Sequence, residues 1–163
     1  MIASAKRKPG GGEVLKAIRT AADLPLDELS RVYGSRADED FLRYEFFGQA
    51  GAALWLWSEG GEAVSALRTE PWKDGVLVTA LQTAEGCRNH GYARMLLSAV
   101  LAQLRQQGSG RVYAHIHHRN SASICVHEKC GFRRIADTAR LLDGTVTSWL
   151  GTYEYETDPP EVI

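Results

Sequence analysis

The stretch VLVTALQTAEGCRNHGYARMLLSAVLAQLRQQG, residues 76–108, decides the fold, because the apolar period changes inside it. Residues 76–83 (VLVTALQT) are rich in apolar and β-branched types and hold no breaker, which predicts a strand. From Tyr92 to Gln106, apolar residues recur at Ala93, Leu96, Leu97, Val100, Leu101 and Leu104. That three-and-four spacing predicts an amphipathic helix, with Gly108 as its stop. Between the two lies Arg88-Asn89-His90-Gly91-Tyr92-Ala93. The first turn of a helix carries N–H groups without intrahelical partners, and these hold partial positive charge. Gly91 lets the backbone approach a ligand closely, and the small Ala93 keeps the surface open. An anionic phosphate suits such a place, with Arg88 able to add a charge-assisted contact. The same six residues also suit an ordinary glycine-containing helix start. They do not form the GKS or GKT of a nucleotide P-loop or the GxGxxG of a dinucleotide fold.

Working outward, residues 52–58, with Trp55 and Trp57, and residues 63–70 flank Glu59-Gly60-Gly61-Glu62 and read as a hairpin. Pro71-Trp72-Lys73-Asp74-Gly75 reads as a turn into residues 76–83, so three adjacent strands form an antiparallel meander. Downstream, residues 111–117 (RVYAHIH) return to strand, and residues 121–129 read as a short helix capped by Asn120 or Ser121. Residues 133–142 and 145–155 flank Asp143-Gly144, a two-residue turn that joins hairpins. In the first fifty residues, 1–5 suggest a strand, and Val14, Leu15, Ala17, Ile18 and Ala21 predict a helix over 13–21. Pro25 opens a second helix, with Leu26, Leu29, Val32 and Tyr33 on one face and Gly34 as its stop. Residues 37–47 suit either helix or strand.

The chain has 163 residues, the size of one domain, expected to span residues 1–157 with a frayed tail at 158–163. Nineteen basic against 20 acidic residues exclude nucleic-acid binding through bulk positive charge. No apolar run approaches the roughly 20 residues of a membrane helix, and residues 1–12 lack the apolar core of a secretion signal. Cys87, Cys125 and Cys130 form no CxxC, which points to a reducing, cytoplasmic compartment. Histidines 115, 117, 118 and 127 with these cysteines lack the spacing of a zinc set, so no metal is expected. Cys87 sits beside the glycine loop, where thiol pKa values fall, yet no partnered base marks it as a nucleophile.

A second block lies one strand further on: Asn120-Ser121-Ala122-Ser123-Ile124-Cys125-Val126-His127-Glu128-Lys129-Cys130-Gly131-Phe132. Together, R-x-x-G-x-A opening an amphipathic helix, a strand, then N-x-x-S-x-x-x-H-E-K-x-G-F resemble the GNAT superfamily of acyl-coenzyme A N-acyltransferases. The resemblance covers residues 76–132 well, and the hairpins on either side fit the same strand order. It implies a mixed α/β (α+β) fold with a mostly antiparallel sheet of six or seven strands and helices on both faces. It further implies that the pyrophosphate of acetyl-coenzyme A (acetyl-CoA) lies on Arg88, Asn89, His90, Gly91, Tyr92 and Ala93. A bulge among Leu81, Gln82 and Thr83 would polarise the acyl carbonyl. The pantetheine arm would lie where residues 76–83 and 111–117 splay apart, bonded by Asn120 and covered by the following helix, with Ser123 on its first turn. The acceptor would be a small-molecule or peptide amine, and the family leaves room for a homodimer.

The implied chemistry is direct attack of an amine on a thioester within a ternary complex. A lysine-like amine, with a reference pKa of about 10.4, must shed a proton at a cost of roughly 4.6 kcal/mol at pH 7. A base, or a water chain leading to one, is therefore needed. Relatives often place a glutamate on the bulged strand, whereas Gln82 stands here and cannot take a proton. Glu70, Glu85, His115, His117 and His118 remain, and His117 relayed through water ranks first, with Glu85 second. A tyrosine usually stands seven residues after the asparagine and donates to the departing thiolate; this chain has His127, which titrates near neutrality and can serve as a general acid. His127 also suits plain packing beside Gly131-Phe132. The missing glutamate and tyrosine feed a rival reading, a non-catalytic acyl-CoA-binding sensor or interaction module. The aromatics of residues 33–47 suit core, or an aromatic wall that with Glu45 or Asp38 would take a cationic acceptor.

Overall fold

The computed structural model describes residues 14–155; the strand suggested for residues 1–5 and the tail at 158–163 lie outside the described residues. Along the chain come β1 (Leu15–Ile18), α1 (Leu26–Tyr33), α2 (Glu39–Phe41, running into a π-helical turn Leu42–Phe46), β2 (Ala53–Glu59), β3 (Glu62–Trp72) and β4 (Gly75–Thr83). Then follow α3 (Tyr92–Gln106), β5 (Arg111–His117), α4 (Ser121–Lys129), β6 (Phe132–Ala136), β7 (Ala139–Arg140), β8 (Val146–Thr147) and β9 (Leu150–Tyr155). Seven strands make one sheet in the order β1-β2-β3-β4-β5-β9-β6. Its pairs are antiparallel except β4–β5, which is parallel and is bridged by α3.

The two faces of the sheet bury different elements. Leu96, Leu97, Val100, Leu101 and Leu104 of α3 pack on Trp55, Leu67, Val78, Ala114 and Ile116, with Ile124 and Val126 of α4 beside them. The apolar stripe read from the sequence is this buried face, and each such side chain contributes roughly 1.5–3 kcal/mol. Alternate strand residues, Leu54, Leu56 and Ala66, meet Leu29 and Val32 of α1 and Leu42 and Phe46 of the π-turn on the other face.

Three expectations are corrected. Residues 15–18 form a strand rather than a helix: Leu15, Lys16, Ala17 and Ile18 pair with Trp57, Leu56, Trp55 and Leu54. An unpaired edge on β2 outweighs the local helical spacing, and the four residues place Leu15 and Ile18 on opposite faces. β3 runs on through Pro71 to Trp72, so the turn shrinks to Lys73-Asp74. The last hairpin is present but broken, because β6 pairs with β9 while β7 pairs with β8 in a separate two-stranded sheet. Its tip is wider than two residues, closed by Leu141 N–H to Thr145 O (2.8 Å) and Gly144 N–H to Leu141 O (2.9 Å). Residues 37–47, which suited helix or strand, are helical from Glu39 to Phe46, started by Asp38 Oδ1 accepting from Phe41 N–H at 3.0 Å.

Candidate active site

The parallel pair β4–β5 is clamped at one end and open at the other. At the closed end a Cβ on Gly75 would lie 1.9 Å from Arg111 O, so the two backbones approach as closely as a glycine allows. Tyr113 O–H donates to Asp74 Oδ1 at 2.8 Å, and Arg111 pairs with Glu154 at 3.1 Å. The register runs Gly75↔Arg111 to Val78↔Ala114 and stops there. Beyond it, β5 stays paired to β9 as far as His117↔Leu150, while β4 leaves to follow β3. The cause of the departure is a bulge. Arg68 pairs with Thr79 and Ala66 with Gln82, so Ala80 and Leu81 face Leu67 together. Ala80 has φ of +53°, an uncommon state for a residue with a Cβ. Tyr33 O–H donates to Ala80 O at 2.8 Å and ties the bulge to α1; burial pushes this phenol well above the ordinary tyrosine range, with Arg68 pulling the other way. Past the bulge, Ser65 O–H donates to Gln82 O at 2.8 Å and its oxygen lies 3.3 Å from Thr83 Oγ1, which holds the end of β4.

The loop from β4 to α3 ends on Gly91, at φ +79°, where an added Cβ would meet nothing within 4 Å. The first capping bond of α3 runs from Met95 N–H to Gly91 O at 3.0 Å, so the N–H groups of Tyr92, Ala93 and Arg94 precede the intrahelical ladder. Asn89 also takes positive φ, +66°. His90 Nδ1 lies 2.8 Å from Arg88 O and 3.1 Å from Cys87 O. Carbonyls only accept, so Nδ1 carries the proton and staples the loop. The His90 ring stacks on Tyr92 with centroids 5.6 Å apart. Arg88 is exposed at the rim, and Cys87 packs against the α1-side core.

Asn120 caps α4, its Oδ1 accepting from Ser123 N–H at 3.1 Å. That bond leaves its amide N–H₂ for other work. His127, one residue behind the α4 face that packs on the sheet, is buried edge-on against Phe132 with ring centroids 5.0 Å apart. Its Nδ1 lies 2.7 Å from Ser123 O, which fixes the proton there and leaves Nε2 as the acceptor of the neutral ring. Burial pushes this imidazole below the ordinary histidine value, and the bond to Ser123 O offsets part of that.

On the face of α1, the splay opens into two neighbouring hollows. A cavity of about 300 Å³ is lined by Tyr33, Arg36, Asp38, Phe41 and Arg68 together with Ala80, Leu81, Gln82 and Asn120. A second, of about 500 Å³, is lined by Glu70, Trp72, Leu77, Thr79, His115 and the tip residues Leu141 to Asp143. His115 follows the last paired residue of β5 and lies edge-on to Trp72 at 4.9 Å. Among the described residues, no acceptor or donor reaches its buried Nε2. Burial, then the Lys73 charge, hold its pKa below the ordinary value. The two residues ranked as bases sit elsewhere. His117 is exposed, its Nδ1 accepting from Arg119 N–H at 3.1 Å, beside a third hollow under Trp149. Glu85 is exposed in the turn closed by Cys87 N–H to Ala84 O. The structure thus gathers Leu81, Gln82 and Asn120 around the splay, sets His127, bonded to Ser123 O, against Phe132 of β6, and leaves His117 and Glu85 outside the two hollows.

The sequence profile of the Acetyltransferase (GNAT) family matches residues 18–132. The chain belongs to the GNAT acetyltransferases. Solved GNAT-fold structures agree with that architecture at low identity. The IAA acetyltransferase of Bacillus cereus ATCC 14579 aligns at 14% identity and a TM-score of 0.66, over 88% of this chain and 99% of that one. A GNAT acetyltransferase of Elizabethkingia anophelis with acetyl-CoA bound aligns at 14% and 0.64, over 90% and 100%. The ribosomal-protein-alanine N-acetyltransferase of Brucella melitensis reaches 20% and 0.59, over 87% and 97%. No curated protein sequence matches the chain. In this GNAT chain the side chain that the sequence did not point to is Arg68, while Tyr33, expected as core or pocket wall, also holds Ala80 O. A charge directly after the buried run AVSAL of β3 was the available signal for Arg68; nothing local marked the bond of Tyr33 to Ala80 O.

Proposed function

We propose that the chain transfers an acetyl group from acetyl-CoA to a primary amine by direct attack in a ternary complex. The observation that carries this reading is the pairing of two backbone features, the bulge that parts β4 from β5 and the glycine-opened start of α3 beside it. The residues fit the donor. The open space over Gly91 and the first-turn N–H groups suit a pyrophosphate, with Arg88, Asn89, His90, Tyr92 and Ala93 around it. The free edge at Leu81, Gln82 and Thr83 suits an amide-bearing arm, which Asn120 can bond from α4. Bound there, acetyl-CoA supplies an acetyl group activated as a thioester.

The protein's own groups then divide the proton work. At the bulge two residues, Ala80 and Leu81, face one, which frees backbone N–H from the ladder to serve as a donor for a carbonyl oxygen that gains charge. His115, neutral at pH 7 and unpartnered at Nε2, takes the amine proton directly or through one water. Glu70, held by Gln49 Nε2 at 3.0 Å, lines the same hollow. His117 is a weaker choice, because its accepting nitrogen is already used by Arg119 N–H. His127 donates to a thiolate only as an imidazolium, which burial disfavours; a water held at Nε2 does so from the neutral ring. Thiol release from acetyl-CoA in the presence of a panel of primary amines tests the reading. Amine-dependent release supports transfer, and acetyl-CoA binding without release from any amine would favour the non-catalytic acyl-CoA module.

A further inference from the structure

Arg68 lies on β3 opposite Thr79, the last residue of β4 before the bulge, and points into the smaller hollow. Its guanidinium carbon sits 4.9 Å from the Phe41 ring centre and 5.3 Å from that of Phe46, so aromatic carbon covers the faces of the ion. Its Nε is buried, and among the described residues nothing accepts from it. None of the ion pairs among the described residues uses Arg68. Asp38, the one carboxylate lining that hollow, has an oxygen engaged at 3.0 Å by Phe41 N–H, and Arg36 adds a second cation. A buried guanidinium N–H without an acceptor is costly, and the planar fork of the half-buried ion matches a carboxylate.

We infer that this hollow recognises a carboxylate on the acceptor, so that the preferred amines are small amino-carboxylates. The inference rests on the transfer reading above, since the hollow shares Ala80, Leu81 and Asn120 with the acyl site. Its volume of about 300 Å³ lies at the small end of ligand pockets, which suits an amino acid or the end residue of a peptide. Aromatic walls had suggested a cationic acceptor; here a guanidinium occupies the Phe41 and Phe46 faces instead.

The test compares matched sets of acceptors: L-amino acids, their carboxamides, the corresponding decarboxylated amines, and dipeptides whose only side-chain charge is Asp or Glu. The amino acids or the acidic dipeptides should exceed the carboxamides and plain amines in kcat/KM by roughly ten- to a hundredfold, and whichever of the two leads identifies the source of the carboxylate. Arg68→Met should abolish that preference by raising the KM of the carboxylate acceptors well above any change for the plain amines, with the KM of acetyl-CoA little changed. Arg68→Lys, which keeps the charge and loses the fork, should move in the same direction and serves if Arg68→Met does not fold. Equal use of carboxylate and carboxamide acceptors would overturn the inference, as would an equal loss for every acceptor or a raised KM for acetyl-CoA. If no amine is acetylated, thermal melts with CoA plus an N-acetyl amino acid separate the two claims. A shift in the parent that Arg68→Met loses would uphold the carboxylate site without transfer, and no difference would overturn it.

Discussion

The two sides of the splay are built from different material. The side proposed for the acyl donor is mostly backbone: a bulge at Ala80–Leu81, the free edge that follows it, and first-turn N–H groups opened by Gly91. The proposed acceptor side is mostly side chain: Tyr33, Arg68, Glu70, Trp72 and His115 from three elements, α1, β3 and β5, with Leu141 and Leu142 lining part of it. Backbone donors tolerate many side chains provided the turn geometry survives. Side-chain pockets change with every substitution. One scaffold can therefore keep its donor while its acceptor varies, and the experiments below ask whether the two sides fail separately.

The largest effect is expected at Gly91. Gly91→Glu puts an anion at the turn proposed to face the pyrophosphate, on a backbone with φ of +79°, and should weaken acetyl-CoA binding by roughly two orders of magnitude. Gly91→Asn tolerates the left-handed backbone without the charge and should bind far better; calorimetric titration of the pair separates strain from repulsion. On the acceptor side, His115→Gln should lower kcat by about a hundredfold and leave acetyl-CoA affinity intact. The parent rate should fall as pH drops through a value below the usual 6.5, because a base must be neutral to act, and the variant should lose that limb of the pH–rate profile.

Where the two sides touch, Tyr33→Phe strips the donor from Ala80 O. Urea denaturation should show a loss of about 0.5–1.5 kcal/mol, the usual net contribution of one hydrogen bond. The smallest effect concerns His127. An unfolded histidine protonates near pH 6.5, whereas the buried ring resists its proton, so below that pH the unfolded chain binds more protons and stability falls. His127→Gln should flatten stability against pH on the acid side of 6.5, and an unchanged slope would mean the ring is solvated.

The same division explains what could be read from the residues. The bounds of α3, β5 and α4 coincide with those expected, since each is set by a local signal: Gly91 and Gly108 around α3, and Asn120 before α4. β1 was misread because its neighbours, not its own period, decide it: the open edge of β2 recruits four residues whose spacing suits a helix. The bulge was expected at 81–83 and lies one residue earlier, at Ala80–Leu81, where alanine gives no sign of the positive φ it adopts. His115 and His117 share a strand face by alternation, but only the structure shows that one is shut against Trp72 and the other is bonded to Arg119 N–H. Nothing near Tyr33 announces that it holds a carbonyl 47 positions away.

The central claim, that the parted strands and the α3 start form one acyl-donor site, is tested most directly by a thermal melt with acetyl-CoA against an ATP control. Ligand at about 100 times its dissociation constant adds roughly 2.7 kcal/mol, which for a chain of this size raises the midpoint by about 5–10 °C. The account predicts that shift with acetyl-CoA, little or none with ATP, and its loss in Gly91→Glu. No shift at saturating acetyl-CoA, or an equal shift with ATP, would contradict it.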